Sequence, residues 1–413
     1  MSPERWLPFF GIVFLFGVIA NISYLTTFST ALAVLLVITS WWRRHSLDSV
    51  NYRRRPYFRR AFPGEHVPLQ VEVENKKPLP LSWLRIEDPW PLAVGPEDDA
   101  ILAPSHLPEQ GLLTNIFSLR WFEKTSRSYT LLFRKRGLYK IGPATLQSGD
   151  VFGMYELSRK EEQAEYLTVF PEILPLERLD LPAEDPFGDR RSRRRIFEDP
   201  NQPMGVREYR SEDGFRRIHW PATARTGQLQ VKVFQPTSAK VAMICLNTST
   251  FDKHWEGIYP ELLEHLVSVA ATLADWYIQD GYQVGLISNG CLAHADRPLN
   301  IPPGRSPKQL GALLEALAGI TPMVMVPFEQ FLIREMPRVH YGASLLIVSA
   351  VTPPVFMGTL ARLKRHNRKI TLLSLAEEPP REIPGMEILH RPYKEQDEVR
   401  MSSSRGISNE RWI

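Results

Sequence analysis

Residues 207–234, REYRSEDGFRRIHWPATARTGQLQVKVF, decide how the rest of the chain divides. Charged and aromatic side chains alternate there too closely for one amphipathic helix or one two-sided strand. The stretch runs into Val241–Leu246, a continuous apolar run of the kind expected for a strand buried on both faces. A helix over 255–279 follows, with Ile258, Leu262, Leu266, Val269, Leu273 and Trp276 at helical spacing. A second strand is expected over 282–287. Ser306 opens the next helix, with Pro307 at its first position and Gln309 completing a capping box. A short helix over 328–336, a strand over 344–349, a helix over 353–366 and strands over 370–375 and 386–389 continue the alternation. Such a pattern predicts an α/β domain over 206–392, the quoted block included, with a mostly parallel sheet and helices on both faces.

Upstream of the block the period changes. Val67, Leu69, Val71 and Val73 alternate with polar residues, and Pro78, Pro80, Pro89 and Pro91 confine the next strand to 81–87. Further strand-like runs at 113–122, 128–133, 138–141 and 166–170 predict a β-sandwich-like module over 61–175. Residues 176–205 read as a charged linker. Its run Arg190, Arg191, Arg193, Arg194 and Arg195 is flanked by Glu184, Asp185, Asp189, Glu198 and Asp199, the signature of a solvated, self-pairing segment rather than a nucleic-acid patch. The polar, serine-bearing tail at 393–413 is expected to be disordered.

No charged side chain occurs between Trp6 and Trp42. That run is too long for a single span or a signal-peptide core, and Asn21, Ser23, Thr26 and Thr27 interrupt it. The expectation is a transmembrane hairpin within 1–43, its helices at about 6–22 and 25–42, with Trp6, Trp41 and Trp42 as interfacial anchors. Arg5 precedes the run, and Arg43, Arg44, Arg53, Arg54, Arg55, Arg59 and Arg60 follow it, making 44–60 a basic juxtamembrane segment held against anionic lipid. The positive-inside rule then puts both ends of the hairpin, and all that follows, in the cytoplasm. A single tilted helix would reverse the side of the soluble part.

With 413 residues, 43% hydrophobic and 23% charged, the chain has material for more than one core. A net charge of only +4 gives no general affinity for nucleic acid. Two cysteines, Cys245 and Cys291, cannot build a disulfide framework or a zinc site alone. Phosphate-binding P-loop, dinucleotide-binding glycine, nucleophile-elbow and His-Glu-x-x-His motifs are all missing from the sequence.

Within the opening block, Arg207, Tyr209, Asp213, Arg216, Ile218, Trp220, Thr223, Ala224, Arg225 and Lys232 form a pattern that resembles the signature of the bacterial domain-of-unknown-function fifty-eight family. Glu212 stands where that family usually has glycine. The resemblance implies a von Willebrand factor A-like α/β domain. It also implies partnership with a MoxR-type AAA+ ATPase, often beside other membrane-anchored von Willebrand A proteins, in complex assembly or envelope maintenance. The loop Asn247-Thr248-Ser249-Thr250-Phe251-Asp252 is similar to the metal-ion-dependent adhesion loop of von Willebrand A domains, where Asp-x-Ser-x-Ser presents hard oxygen ligands to Mg²⁺. Here Asn247 replaces the aspartate, Phe251 replaces the second serine, and Ser349-Ala350-Val351 lacks the later aspartate. Ser249 matches, and Thr321 is a loose candidate for the distant threonine. The loop is therefore expected to be metal-free, and no cofactor is expected.

The residues of the block allow three roles. In the first, Asp213 pairs with Arg216 or Arg225 while Ile218 and Trp220 pack on the sheet, making a structural joint. In the second, the arginines and Trp220 face solvent as a docking surface. In the third, a hydrolase uses Asp213 and His219 as acid and base, although no nucleophile or oxyanion donor accompanies them. A metal-dependent ligand-binding module is a further alternative. The expectation is a non-catalytic, membrane-anchored adaptor whose signature residues are structural or docking.

Overall fold

The uncharged N-terminal stretch folds as two consecutive helices, α1 (Leu7–Ile19) and α2 (Ser23–His45), separated at Asn21, whose φ of 57° is left-handed. A Cβ on Gly17 would lie 2.9 Å from Thr26 Cγ2, so the two helices approach closely just beside the turn. In this computed structural model the described residues are 7–149, 156–179, 197–210, 213–237, 241–253, 256–293, 295–324 and 326–393. Among them α2 is the helix long and apolar enough to cross a membrane, over Ser23–Trp42. The 13 described residues of α1 rise about 20 Å. The helices expected at about 6–22 and 25–42 correspond, over the described residues, to α1 at Leu7–Ile19 and α2 at Ser23–His45. The chain forms two compact units, Met1–Phe170 and Pro171–Ile413.

In the first unit the strands are β1 (Val50–Pro56), β2 (Arg60–Ala61), β3 (His66–Asn75), β4 (Leu81–Pro91), β5 (Leu102–Pro104) and β6 (Gln110–Leu119). They continue as β7 (Lys124–Leu132), β8 (Gly137–Ile141), β9 (Thr145–Gly149), β10 (Glu156–Lys160) and β11 (Glu165–Val169). Three sheets form, in the orders β1-β3-β7, β10-β9-β4-β6-β5 and β2-β11-β8. Every pairing is antiparallel except that of β2 with β11. Period-2 alternation turns Val67, Leu69, Val71 and Val73 of β3 into one core with Leu84, Ile86 and Trp90 of β4 and Leu113 and Phe117 of β6. The module is β-sandwich-like.

Strand β1 corrects the expectation for the basic segment 44–60. Its register against β3 points Val50, Tyr52 and Arg54 inward, so Arg54 is buried rather than lipid-facing. Its guanidinium donates from Nε and Nη2 to the two carboxylate oxygens of Asp88, each at 2.7 Å. Asp88 also accepts from Tyr52 Oη at 2.7 Å and Trp90 Nε1 at 3.0 Å. Arg54 Nη1 donates to the carbonyl of Gln163. Burial, with the Asp88 carboxylate next, holds the Tyr52 phenol well above its ordinary pKa. Breaking one member of such a buried pair costs about 3–5 kcal/mol, because the other charge is left in low dielectric.

The second unit begins, where described, with a 3-10 turn at Leu176–Leu179. The linker expected over 176–205 ends inside a strand, β12 (Phe197–Glu208), which pairs antiparallel with β13 (Gln230–Thr237) as a two-stranded arm. The arginine run at 190–195 and the tail after Tyr393 lie outside the described residues. A short helix, α3 (Trp220–Thr226), sits within the arm's connection. Then come β14 (Val241–Leu246), α4 (Pro260–Gln279), β15 (Gln283–Leu292), β16 (Ala295–Gly304), α5 (Gln309–Ala318) and β17 (Ile320–Val324). The rest is α6 (Phe328–Glu335), β18 (Ser344–Ser349), α7 (Pro354–Arg365), β19 (Lys369–Ser374) and β20 (Glu387–His390).

The sheet order is β16-β15-β14-β18-β19-β20, with β17 also on β15. Strands β15, β14, β18, β19 and β20 are parallel, while β16 and β17 join antiparallel, so the sheet is mixed. All six residues of β14 are buried. Val241, Met243 and Cys245 enter a core with Phe328 and Phe331 of α6 and Phe356 of α7. The intervening residues of β14 face the side covered by α4. Two differences from the expectation concern prolines. The helix expected from 255 starts at Pro260, and β16 forms despite Pro298, Pro302 and Pro303 because it lies at the sheet edge.

Candidate functional site

The arm is held shut by a short ladder. Ile218 bridges Val231, both buried, His219 N donates to Gln230 O at 2.7 Å, and Tyr209 N donates to Leu229 O at 2.9 Å. Gln230 N donates to Thr223 Oγ1 at 3.0 Å, which ties α3 to β13. His219 Nδ1 accepts from Ala222 N at 3.0 Å, capping α3 at its start. Gly227, at φ 72°, ends α3 in the left-handed conformation that glycine adopts without steric cost.

Across this framework Arg207 forms a bidentate pair with Asp213, Nη1 to Oδ2 at 2.7 Å and Nη2 to Oδ1 at 2.6 Å. Asp213 Oδ2 also accepts from Arg210 N at 2.9 Å. The Arg207 guanidinium, followed by that backbone bond, holds the Asp213 carboxyl below its ordinary pKa. The partner is therefore Arg207 on β12, and Arg225, one of the two partners expected, is exposed at the end of α3. The side chain of Arg216, the other, lies outside the described residues. Nor does Trp220 pack on the sheet: it is 66% exposed and Phe215 is 76% exposed. The Phe215 ring lies 6.0 Å from that of Tyr209. Ala224 is exposed, and Lys232 is half-buried opposite Val206 in the arm.

Asp213 and His219 are engaged separately, the carboxylate with Arg207 and Arg210 and the imidazole Nδ1 with Ala222. As placed, the imidazole has one nitrogen occupied as a helix cap, and the carboxylate has both oxygens in the arginine fork.

At the carboxyl ends of the sheet strands, where α/β folds gather ligands, the polar atoms bond one another. Asn247 Nδ2 donates to Ser349 Oγ at 2.9 Å and Asn247 Oδ1 accepts from Ser249 N at 3.1 Å. Asn289, which sequence reasoning overlooked, accepts from Thr248 N at 3.0 Å and donates to Ser249 Oγ at 3.4 Å. Ser349 Oγ donates to Val351 O at 2.6 Å. Thr321 Oγ1 donates to Cys291 O at 3.0 Å. These donors are neutral amides and hydroxyls, without a carboxylate among them, and a hard dication needs anionic oxygen. The group does not fit Mg²⁺.

A β-sandwich-like module, a clamped two-stranded arm and a mixed α/β sheet, behind an apolar helix, define the class of this chain. Residues 205–401 match the family described as Protein of unknown function DUF58, and this part of the chain is a member of that family. The uncharacterized protein YeaD of Bacillus subtilis (strain 168) is 24% identical over 236 residues, which are 55% of this chain and 52% of that protein. The chain thus spans about half the length of that curated relative. Two solved structures share parts of the chain weakly. A CARDB domain from Pyrococcus furiosus is 9% identical over 29% of this chain and 89% of its own, at a TM-score of 0.19. The sporulation control protein Spo0M of Bacillus subtilis is 15% identical over 29% and 49%, at 0.18. At such scores the likenesses carry no argument.

Proposed function

We propose that this protein is a membrane-anchored adaptor whose second unit is von Willebrand A-like and docks a MoxR-type AAA+ ATPase in protein-complex assembly or envelope maintenance. The observation that carries the docking role is the arm. Its Arg207–Asp213 fork and its ladder pre-order a surface that exposes Trp220, Phe215 and Arg225, residue types that dominate binding energy when buried by a partner. The partner class comes from the family resemblance. In this reading α1 and α2 form a hairpin anchor with both ends in the cytoplasm, supported by Arg43 and Arg44 in the last turn of α2. Reporter fusions at residues 2 and 60 test that topology, and opposite locations for the two overturn it. For the docking role, the detergent-solubilised full chain is incubated with a purified MoxR-type ATPase. Retention by the wild type and loss on Trp220→Ala are expected, and equal retention by both removes the arm from the interface.

A further inference from the structure

The last carbonyls of a helix have no donors of their own. The last carbonyl of α2, and the turn that follows it, are met from the β module. Lys77 Nζ donates to His45 O at 2.6 Å and to Ser46 O. Arg159 donates to Leu47 O at 2.7 Å and Val50 O at 2.6 Å. The same spot holds the turn between β6 and β7. Phe122 N donates to Lys77 O, Asn75 N donates to Glu123 O at 2.9 Å, and Asn75 Nδ2 donates to Arg120 O at 2.9 Å. Arg120 N closes the turn onto Glu123 Oε2 at 2.6 Å. At its tip Trp121 and Phe122 are 64% and 67% exposed. Phe122 has φ 53°, a conformation that bulky residues avoid, so an apolar tip is kept here against local preference. Exposed Lys76 and Arg120 flank it.

We propose that the Trp121–Phe122 tip is a second membrane contact, seated in the interfacial layer of the bilayer that α2 crosses, with Lys76 and Arg120 against lipid phosphates. The inference rests on the reading of α2 as membrane-spanning. Its ground is continuity: Lys77 accepts from the tip's Phe122 N at its carbonyl and donates from its ammonium to His45, the final residue of that helix. Amphipathic rings and basic side chains are the groups that favour the headgroup layer. Two contacts joined by fixed hydrogen bonds set the tilt of the β module on the membrane.

Single cysteines at three positions test this in the full chain, labelled with an environment-sensitive fluorophore. Cys245 and Cys291 are buried, which leaves the introduced thiols as the labelled ones. The protein is reconstituted in vesicles of phosphatidylcholine and phosphatidylglycerol carrying nitroxide either on the headgroup or deep in the acyl chain. Val34→Cys, within α2, should lose most of its emission to the deep nitroxide. Trp121→Cys should lose most of its emission to the headgroup nitroxide. Leu107→Cys is an equally exposed apolar site near the start of β6, about 30 Å from the tip along that strand, and should respond only to aqueous iodide. If position 121 behaves like position 107 while position 34 is quenched, the tip proposal is overturned and the anchor stands. If position 34 escapes the deep nitroxide, the anchor reading itself fails.

Discussion

Replacing Asp88 with alanine removes the acceptor of four hydrogen bonds at the centre of the β module. The side chain of Asp88 is fully buried and that of Arg54 is 4% exposed, so the lost partner lies well away from bulk solvent. An uncompensated guanidinium in that position costs about 3–5 kcal/mol. The orphaned Tyr52 hydroxyl and Trp90 indole add to it less than additively, since all share one acceptor. A module of about a hundred residues loses roughly 4–8 °C in Tm per kcal/mol. The first unit should therefore melt about 12 °C lower or more, read by near-ultraviolet circular dichroism on the detergent-solubilised full chain. The exposed pair between Arg134 and Asp99, at 2.8 Å, is the matched comparison. Its carboxylate is 69% exposed, and Asp99→Ala should cost only about 0–1 kcal/mol. A second comparison replaces both charges, Arg54→Met with Asp88→Leu, and should recover much of the loss if the buried charge is its source. A shift no larger for Asp88→Ala than for Asp99→Ala would refute the reasoning.

Further outcomes follow from the arm and the sheet. Carbon-13 NMR of Asp213 should give a pKa below that of a free aspartate, about 3.9, and Arg207→Ala should return it to the ordinary range. Because the folded value is depressed, the fork's contribution is fully present above the unfolded pKa and is lost as pH falls through the folded one. Asn289→Ala strands Thr248 N and Ser249 Oγ in a buried setting and should lower stability by about 1–3 kcal/mol, measured by denaturant unfolding. Burial pushes the Cys245 thiol up, so maleimide should label it only after denaturation. Rapid labelling of the native protein would contradict its place in the sheet.

Strong periodicity made the layout legible. The unbroken apolar run Val241–Leu246 announced a strand buried on both faces, and the spacing of Leu266, Val269 and Leu273 announced the helix beside it. Partner choice was not legible. Arg54 sat in an arginine cluster that read as lipid-facing, although Val50, Tyr52 and Arg54 already alternated with Asn51, Arg53 and Arg55 in the pattern of a half-buried strand. Its partner is 34 residues away, beyond what local pattern can find. Gln309 looked like half of a capping box, yet its amide donates to Val284 O and Pro302 O, serving a tertiary contact. In the arm, Asp213 took Arg207 because the antiparallel return of β13 sets where the intervening loop folds, and that geometry lies outside the loop's own sequence.

The capping of α2 by Lys77, with Arg159 holding the turn that follows it, also orders the protein's biogenesis. The helix leaves the ribosome before the module; the lysine that meets its last carbonyl, Lys77 on His45, is synthesised 32 residues later, and Arg159, which holds the following turn at Leu47, 112 residues after that leucine. Until the β module has folded, the end of the helix must borrow water for that carbonyl. The helix therefore acquires its finished terminus only from a domain translated after it.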